Sequence, residues 1–300
     1  MNQVISSKKK ISGLLIKRNL SKMPQDQQDI ALIKEWLAKE PHLPRDLDDF
    51  VLKKFLHSCY GSLERTKRCI EKFCTTRSVM SEVYTTRDPI SPKIQTAFSI
   101  TNISTYEANN QEILIHQFED PTLEKFQFYD ILKSFSIQAD MWIKTTKFLP
   151  DGHIIILDMN NYSLRMIPRV NFFFFREFLI YLLEAMPVRV KQIYGINAPS
   201  FYDKLFVLVK PALPAEICDM IRFLPDTQSL HEFIDKKYLP LEYGGDAPSM
   251  KKQHEDWIVQ IQDERSMFHD DLWKADLKKK PKSNSFESSM NGSFKTLCID

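Results

Sequence analysis

Apolar residues recur at helical spacing through the first part of the chain and condense into strand-like runs further on. Between positions 29 and 39, Ile30, Ile33, Trp36 and Leu37 fall on one helical face, and Pro41 and Pro44 stop that helix. The apolar positions of Asp48 to Leu56 predict a second helix. Ser62-Leu63-Glu64-Arg65 then supplies a capping hydroxyl and a first-turn acid for a third helix that runs toward Arg77. These segments predict a small helical bundle of three or four members over residues 24–90, preceded by a flexible basic arm at 1–23.

From about 90 to 110 the chain turns to Pro, Ser, Thr and Asn and is expected to be a connector. Ile113 to Phe118 is a short apolar run, and Phe126 to Thr146 predicts a long helix. Asp151-Gly152 turns into His153 to Asp158, a strand apolar on both faces, as at the centre of a helix-covered sheet. A helix at Val170 to Met186, a strand at Arg189 to Ile196, a helix at Ser200 to Leu213 and a short run at Ile217 to Phe223 follow. This alternation predicts an α/β layer with a mostly parallel sheet over residues 91–246. Phe172 to Phe175 looks membrane-like, but Arg176, Glu177 and Glu184 interrupt a segment already too short to span, so a buried helix is expected. Trp257, Ile261, Phe268 and Leu272 predict a docked C-terminal helix at 247–277, and Lys278-Lys279-Lys280 opens a disordered tail at 278–300.

Composition narrows the chemistry. With 300 residues, 43% of them hydrophobic, the chain can build a sizeable core, and a net charge of +2 gives no reason to expect nucleic acid. Lys8-Lys9-Lys10 follows a start without an apolar run, which disfavours a secretory signal. The five cysteines are odd in number and contain no Cys-x-x-Cys pair, which suits reduced thiols in the cytosol and no metal. Cys298 has two residues after it where prenylation needs three, and Asn2 stands where myristoylation needs glycine. There is no Gly-x-Ser-x-Gly, phosphate loop or zinc spacing. Asp158 is the one isolated acid at a strand end, and a carboxylate satisfied by backbone donors is the better expectation for it. The chain is therefore expected to bind rather than to catalyse, without a cofactor.

Two segments give that expectation a direction. Tyr238-Leu239-Pro240-Leu241-Glu242-Tyr243-Gly244-Gly245, with Lys191-Gln192-Ile193-Tyr194-Gly195-Ile196-Asn197-Ala198-Pro199, resembles the signature of the CRAL-TRIO lipid-transfer family. Phe55-Leu56 followed by Ser62 to Lys67 resembles that family's N-terminal bundle, with His57 where arginine is usual. The likeness spans roughly residues 25 to 250 and is densest toward the branch that carries tocopherol and retinaldehyde, through Asp151-Gly152, Asp158, Pro187, Ile196-Asn197, Pro199, Lys210-Pro211 and the closing signature.

The resemblance implies an α/β fold: an N-terminal helical bundle, then a CRAL-TRIO domain whose mostly parallel sheet and flanking helices enclose an apolar cavity under a mobile lid helix. The matching lining positions are Leu132, Phe135, Ala139, His153, Leu157, Val170, Phe178, Tyr181, Leu182, Met186, Val188 and Ile193. Phe135 and Ala139 replace serines of the tocopherol carriers, and His153 and Tyr181 add polar tips. His153 is open to two roles, contact with a ligand's head or satisfaction by backbone. Ser200 to Val209 matches the lid, with Phe201, Leu205 and Leu208 on one face and Tyr202, Phe206 and Val209 on an adjoining one. Arg189, Lys191, Lys210 and Arg222 correspond to basic positions for phosphoinositide phosphates, whereas Glu216 and Met220 stand where further basic residues occur.

The expected function is thus intracellular binding and transfer of a tocopherol-, retinoid- or other isoprenoid-like lipid. Phosphoinositide-dependent docking on an anionic membrane would open the lid. The alternative is a lipid-sensing adaptor that holds its ligand without transferring it. A cytoplasmic, transiently membrane-associated monomer is expected.

Overall fold

Two capping side chains set the frame of the bundle. Asp48 Oδ1 accepts the Val51 N–H at 2.9 Å and Ser62 Oγ accepts the Arg65 N–H at 3.5 Å, each satisfying a first-turn amide that has no partner within its helix. The computed structural model describes residues 24–281 except 200, 203–205, 208–209, 211–212 and 214. The arm at 1–23, the tail beyond 281 and the lid positions Leu205, Leu208 and Val209 lie outside the described residues. The bundle comprises α1 (Gln25–Leu37), α2 (Asp49–Ser58), α3 (Leu63–Val79) and the single turn α4 (Ser81–Tyr84). Ile33, Val51, Phe55, Ile70 and Phe73 meet at its centre without solvent exposure.

The stretch expected to be a connector is structured. It forms α5 (Pro92–Ser99) and the strand β1 (Thr101–Ala108). Proline at the first helical position requires no N–H partner there, so Pro92 opens a helix rather than a loop. β1 reads as polar because it is an edge strand, and α9 (Met250–Asp263) covers that edge. Gln253 behaves there like a neighbouring strand residue: its Oε1 accepts the Thr105 N–H and its Nε2 donates to the Thr105 carbonyl, both at 3.0 Å. His254 Nδ1 accepts the Ile103 N–H at 3.2 Å.

The five strands lie in chain order, β1, β2 (Gln111–Phe118), β3 (Gly152–Asp158), β4 (Val190–Ile196) and β5 (Ile221–Phe223). The first pair is antiparallel and the remaining pairs are parallel, the mostly parallel sheet that the strand–helix alternation predicts. Its crossovers include α6 (Phe128–Thr145) and α7 (Phe172–Glu184); α8 (Ala215–Met220) leads into β5.

Two helices depart from expectation. α7 is not buried throughout: Phe178 and Tyr181 are buried, whereas Phe173 is 78% exposed. A helix apolar on every face cannot cover all of them against the neighbours on one side. The C-terminal helix ends at Asp263. Phe268, Leu272 and Trp273 are buried instead from irregular chain that turns back onto the bundle. Arg265 fixes this return by a two-pronged bond to Asp88 at 2.8 and 2.7 Å, and the Ala275 N–H donates to the Cys74 carbonyl at 3.1 Å.

A buried ion triad joins the bundle to the sheet domain. Arg77 of α3 grips Asp140 of α6 through Nη1 and Nη2 at 2.8 and 2.6 Å, and Arg87 Nη1 reaches the same carboxylate at 2.5 Å. All three side chains are buried, with the Arg77 guanidinium 4.1 Å from the Tyr84 ring centre. The two-pronged Arg77 bond ties α3 to α6, whereas Arg87 holds the carboxylate through Nη1 alone, its Nε and Nη2 being buried without a hydrogen-bond partner among the described residues.

The closing signature is also structural. Tyr243 donates its hydroxyl to Asp158 Oδ2 at 3.0 Å; Gln117, Asn197 and the Asn160 N–H complete four donors on that buried carboxylate. Burial and the Asp158 charge both push the Tyr243 phenol far up. Glu242 caps α9 by accepting the Met250 N–H at 2.9 Å and the Lys251 N–H at 3.2 Å. Gly244 adopts φ 70°, and a Cβ on Gly245 would lie 2.0 Å from the Leu239 carbonyl oxygen, so neither position accepts a side chain without strain.

Candidate ligand site

The two faces of the sheet are packed differently. On the back, Ile113, Ile115, Ile156 and Ile196 are completely buried against Tyr194, Leu230 and Leu239. On the front, strand register places Leu114, Ile155, Ile193 and Ile221 in one row and His116, Leu157, Gly195 and Phe223 in the next. Leu114, Ile155, Leu157 and Ile193 are only half-buried. Apolar positions at the middle of a helix-flanked sheet are normally covered on both faces. Here the back, the half-buried Ile154 apart, is closed, and the front is partly open.

The neighbouring helices continue this half-open apolar surface. Phe135 and Ala139 of α6, Leu182 of α7, and Val170 and Val188 on either side of α7 are half-buried and packed against the main core. Leu132, Phe178, Tyr181 and Met186 lie within the core itself. Tyr181 stacks on Phe73, and its hydroxyl accepts from Arg77 Nη1 at 3.4 Å. Burial raises its phenol well above the usual range. These four residues stand behind the half-open surface and join it to the bundle.

His153 is held by its surroundings. Its Nδ1 accepts the Arg189 N–H at 3.0 Å, its backbone N–H donates to the Arg189 carbonyl at 2.6 Å, and Nε2 lies 3.4 Å from Glu112 Oε2. Of the two roles open to it in the sequence, backbone satisfaction is the one its Nδ1 fulfils. Sequence reasoning missed the rest of this polar seam. Trp142 Nε1 donates to Glu112 at 3.1 Å, and Lys54 donates to the Trp142 carbonyl at 2.7 Å. Burial pushes the Lys54 ammonium down to about 7. Sequence reasoning also missed His116, which period-two alternation within β2 places on the same face as Leu114, two positions on. Its Nδ1 is buried without a hydrogen-bond partner among the described residues, and desolvation pushes the imidazole down to about 4, so it is neutral at pH 7.

The described part of the segment expected to form a lid rests on Phe223. The rings of Tyr202 and Phe206 lie 4.5 and 5.3 Å from it. Gly195 makes this seat possible, since a Cβ there would come within 2.7 Å of the Phe223 ring. Phe201 is half-buried, whereas Val207 is 66% exposed. Two further exposed apolar residues are Phe173 and Leu164, the latter 47% exposed, and Arg165, Arg169 and Arg176 are exposed in the same stretch of chain. No helix of the described residues is long and apolar enough to cross a membrane.

The four expected phosphate-binding positions do not share one environment. The Arg189 guanidinium donates to the His57 carbonyl and, at 3.4 Å, to the Ser58 carbonyl, where α2 ends, and lies 4.0 Å from the Tyr60 ring centre. Such carbonyls at a helix C-terminus attract a cation. Lys191, the extra residue at a register shift in β4, donates to the Tyr60 hydroxyl at 3.2 Å. Arg222 lies over the Phe233 ring at 4.8 Å, and Lys210 is exposed. His57 meets the Pro150 carbonyl through Nε2 at 2.8 Å.

Two family models match the chain: the Pinta-like, UBA domain over residues 23–94 and the CRAL/TRIO domain over residues 99–245. The Homo sapiens protein named alpha-tocopherol transfer protein-like is 22% identical over 224 residues, covering 73% of this chain and 65% of that protein. The match thus spans just under two thirds of the relative's length. Clavesin-1 of Rattus norvegicus is 28% identical over 123 residues, 40% of this chain and 34% of clavesin-1. Among solved structures, the crystal structure of Sfh5 is similar with a TM-score of 0.48 and 13% identity, covering 82% of this chain and 98% of Sfh5.

Proposed function

Since this chain is a CRAL/TRIO-domain protein, with that domain at residues 99–245, we propose that it binds one hydrophobic molecule of the tocopherol, retinoid or other isoprenoid class and carries it between membranes. The observation that supports this best is the unequal packing of the sheet, closed behind and half-open in front along Leu114, Ile155, Leu157 and Ile193. In this proposal the ligand lies across that floor, against Phe135, Ala139, Leu182, Val170 and Val188, with His116 available to its polar head. Leu132, Phe178, Tyr181 and Met186 back the wall, and His153 anchors its lower end. Asp158 already accepts four hydrogen bonds, which favours a structural over a catalytic role.

A ligand with about twenty apolar carbons gains on the order of 15 kcal/mol on leaving water, at about 0.8 kcal/mol per methylene. It already has this gain in a bilayer, so transfer depends on opening the cavity at the membrane surface. The lid that carries Phe201, Tyr202 and Phe206 is the gate. Exposed Phe173, Leu164 and Val207 would enter the interface, and nearby arginines would meet anionic lipid. Lys191, Lys210 and Arg222 would contribute phosphoinositide contacts, with Arg189 holding Tyr60 beneath Lys191.

The test is mass spectrometry of the organic extract after the purified protein is loaded from a mixed pool of retinoids, tocopherols, carotenoids and phospholipids. One apolar species retained near one-to-one is expected. No retained lipid would show that side chains fill the front of the sheet and would end the proposal. Transfer between vesicles then separates a carrier from an adaptor that keeps its ligand.

A further inference from the structure

Two polar atoms at the front of the sheet are buried without a hydrogen-bond partner among the described residues, Nδ1 of His116 and Oε1 of Gln138. Gln138 belongs to α6 and is 3% exposed. Its amide is oriented by Nε2, which donates to the Ser134 carbonyl at 3.4 Å, so turning the amide over would set Oε1 against another acceptor. An acceptor left dry in this way is unfavourable until something donates to it.

One helix contact and the strand register place these residues on facing elements. α6 crosses from the end of β2 to the start of β3 and, because those strands are parallel, runs antiparallel to β2. The bond from Trp142 Nε1 to Glu112 at 3.1 Å seats the last turns of α6 over the first residues of β2. Gln138 shares a helix face with Trp142, one turn and about 6 Å nearer the start of α6. Two residues along β2, about 7 Å, lead from Glu112 to Leu114, and His116 follows on the same face. Gln138 therefore stands over the Leu114–His116 stretch of the floor, between Phe135 and Ala139 of the half-open wall. Desolvation, with His254 adding to it, pushes His116 down to about 4, so at pH 7 the ring offers one N–H and one lone pair and no charge. Leu114, Ile155, Leu157 and Ile193 supply no cation, and Lys54 is committed to the Trp142 carbonyl at 2.7 Å.

We propose that Gln138 and His116 select a lipid whose polar end is a neutral alcohol or phenol, its hydroxyl donating to Gln138 Oε1 and accepting from the His116 ring. This rests on the reading of the half-open front as the ligand floor, and it narrows the ligand class to hydroxyl-bearing lipids. An aldehyde, ketone or ether only accepts and leaves Gln138 Oε1 unpaired. A carboxylate or phosphate head would be buried there without a counter-charge. A hydroxyl both donates and accepts, which is what an amide oxygen and a neutral imidazole together require.

Matched probes titrated into the full-length protein, read by quenching of tryptophan fluorescence, test this. One series is retinol, retinyl methyl ether, retinal and retinoic acid; the other is α-tocopherol and its methyl ether. In whichever series binds, the alcohol is expected to be held about tenfold tighter than its ether, the order of effect of leaving a buried acceptor unpaired. Gln138→Leu is expected to erase that preference by weakening the alcohol alone. Because it removes a dry acceptor, it should leave the melting temperature of the ligand-free protein equal or higher. His116→Phe is expected to weaken the alcohol in the same sense. An ether, aldehyde or acid held as tightly as the alcohol by the wild type would overturn the proposal and leave the carrier reading intact. A Gln138→Leu loss shared equally by alcohol and ether would do the same. Absence of binding in both series counts against the carrier reading itself and removes this proposal with it. The wild-type comparison decides the matter even where a variant fails to fold.

Discussion

Asp158 and Asp140 show how one carboxylate can organise a region. Each is buried and crowded with donors, but the donors differ in kind. Asp158 takes neutral ones, including the Tyr243 hydroxyl, so Tyr243→Phe removes one of four hydrogen bonds without stranding the charge. A loss of about 1–2 kcal/mol in urea unfolding is expected, with ligand class unchanged. Asp140 takes two guanidiniums. Burial alone would raise its carboxyl, but Arg77 and Arg87 outweigh burial and hold it below the usual range. Its folded-state value lies below its unfolded one, so its contribution is complete above about pH 4 and is lost as pH falls through the lower folded value. Asp140→Asn should cost about 3–5 kcal/mol at neutral pH, because two buried cations lose their anion, and should flatten the acid limb of the stability profile. Chemical denaturation of both proteins from pH 7 downward measures the two effects together.

At the scale of elements, the closing signature acts as a clamp between the back of the sheet and α9. Glu242 caps the helix, Tyr243 reaches the end of β3, and the two glycines permit the turn that connects these contacts. Glu242→Ala should destabilise by about 1 kcal/mol, the usual cost of a lost cap. Gly245→Ala should do more, since its Cβ would collide with main chain that cannot move aside cheaply; thermal unfolding of the two variants should rank them in that order. α9 in turn closes the β1 edge through Gln253, so damage to the clamp propagates to the opposite side of the sheet.

For the whole molecule, the bundle and the sheet domain share one core. Phe73 of the bundle stacks on Tyr181 of α7 and touches Trp273 from the returning chain, next to the ion triad. Far-UV circular dichroism and tryptophan fluorescence should therefore report one coincident unfolding transition; two separated transitions would show that the bundle folds independently. The surface proposed to meet a membrane is a separate matter, because Phe173 is largely exposed. Phe173→Ser should leave stability within about 0.5 kcal/mol. It should weaken vesicle binding roughly tenfold, the order expected for one apolar side chain withheld from the interface.

The sequence by itself determined the bundle, the strand–helix order, the cap at Ser62, and the family likeness. Each of these rests on local periodicity or on a short contiguous motif. It misjudged residues 91–110, because an edge strand is polar when another element covers its edge, and the exposed start of α7, because four successive phenylalanines do not show which of them finds a neighbour. It placed Arg189 and Lys191 together, but not the α2 carbonyls and Tyr60 that hold them. Only the tertiary structure decided that one face of the sheet is closed and the other half-open, and that Arg77, Arg87 and Asp140 form a triad. These depend on residues far apart in the chain reaching the same few ångströms, and no local pattern encodes that distance.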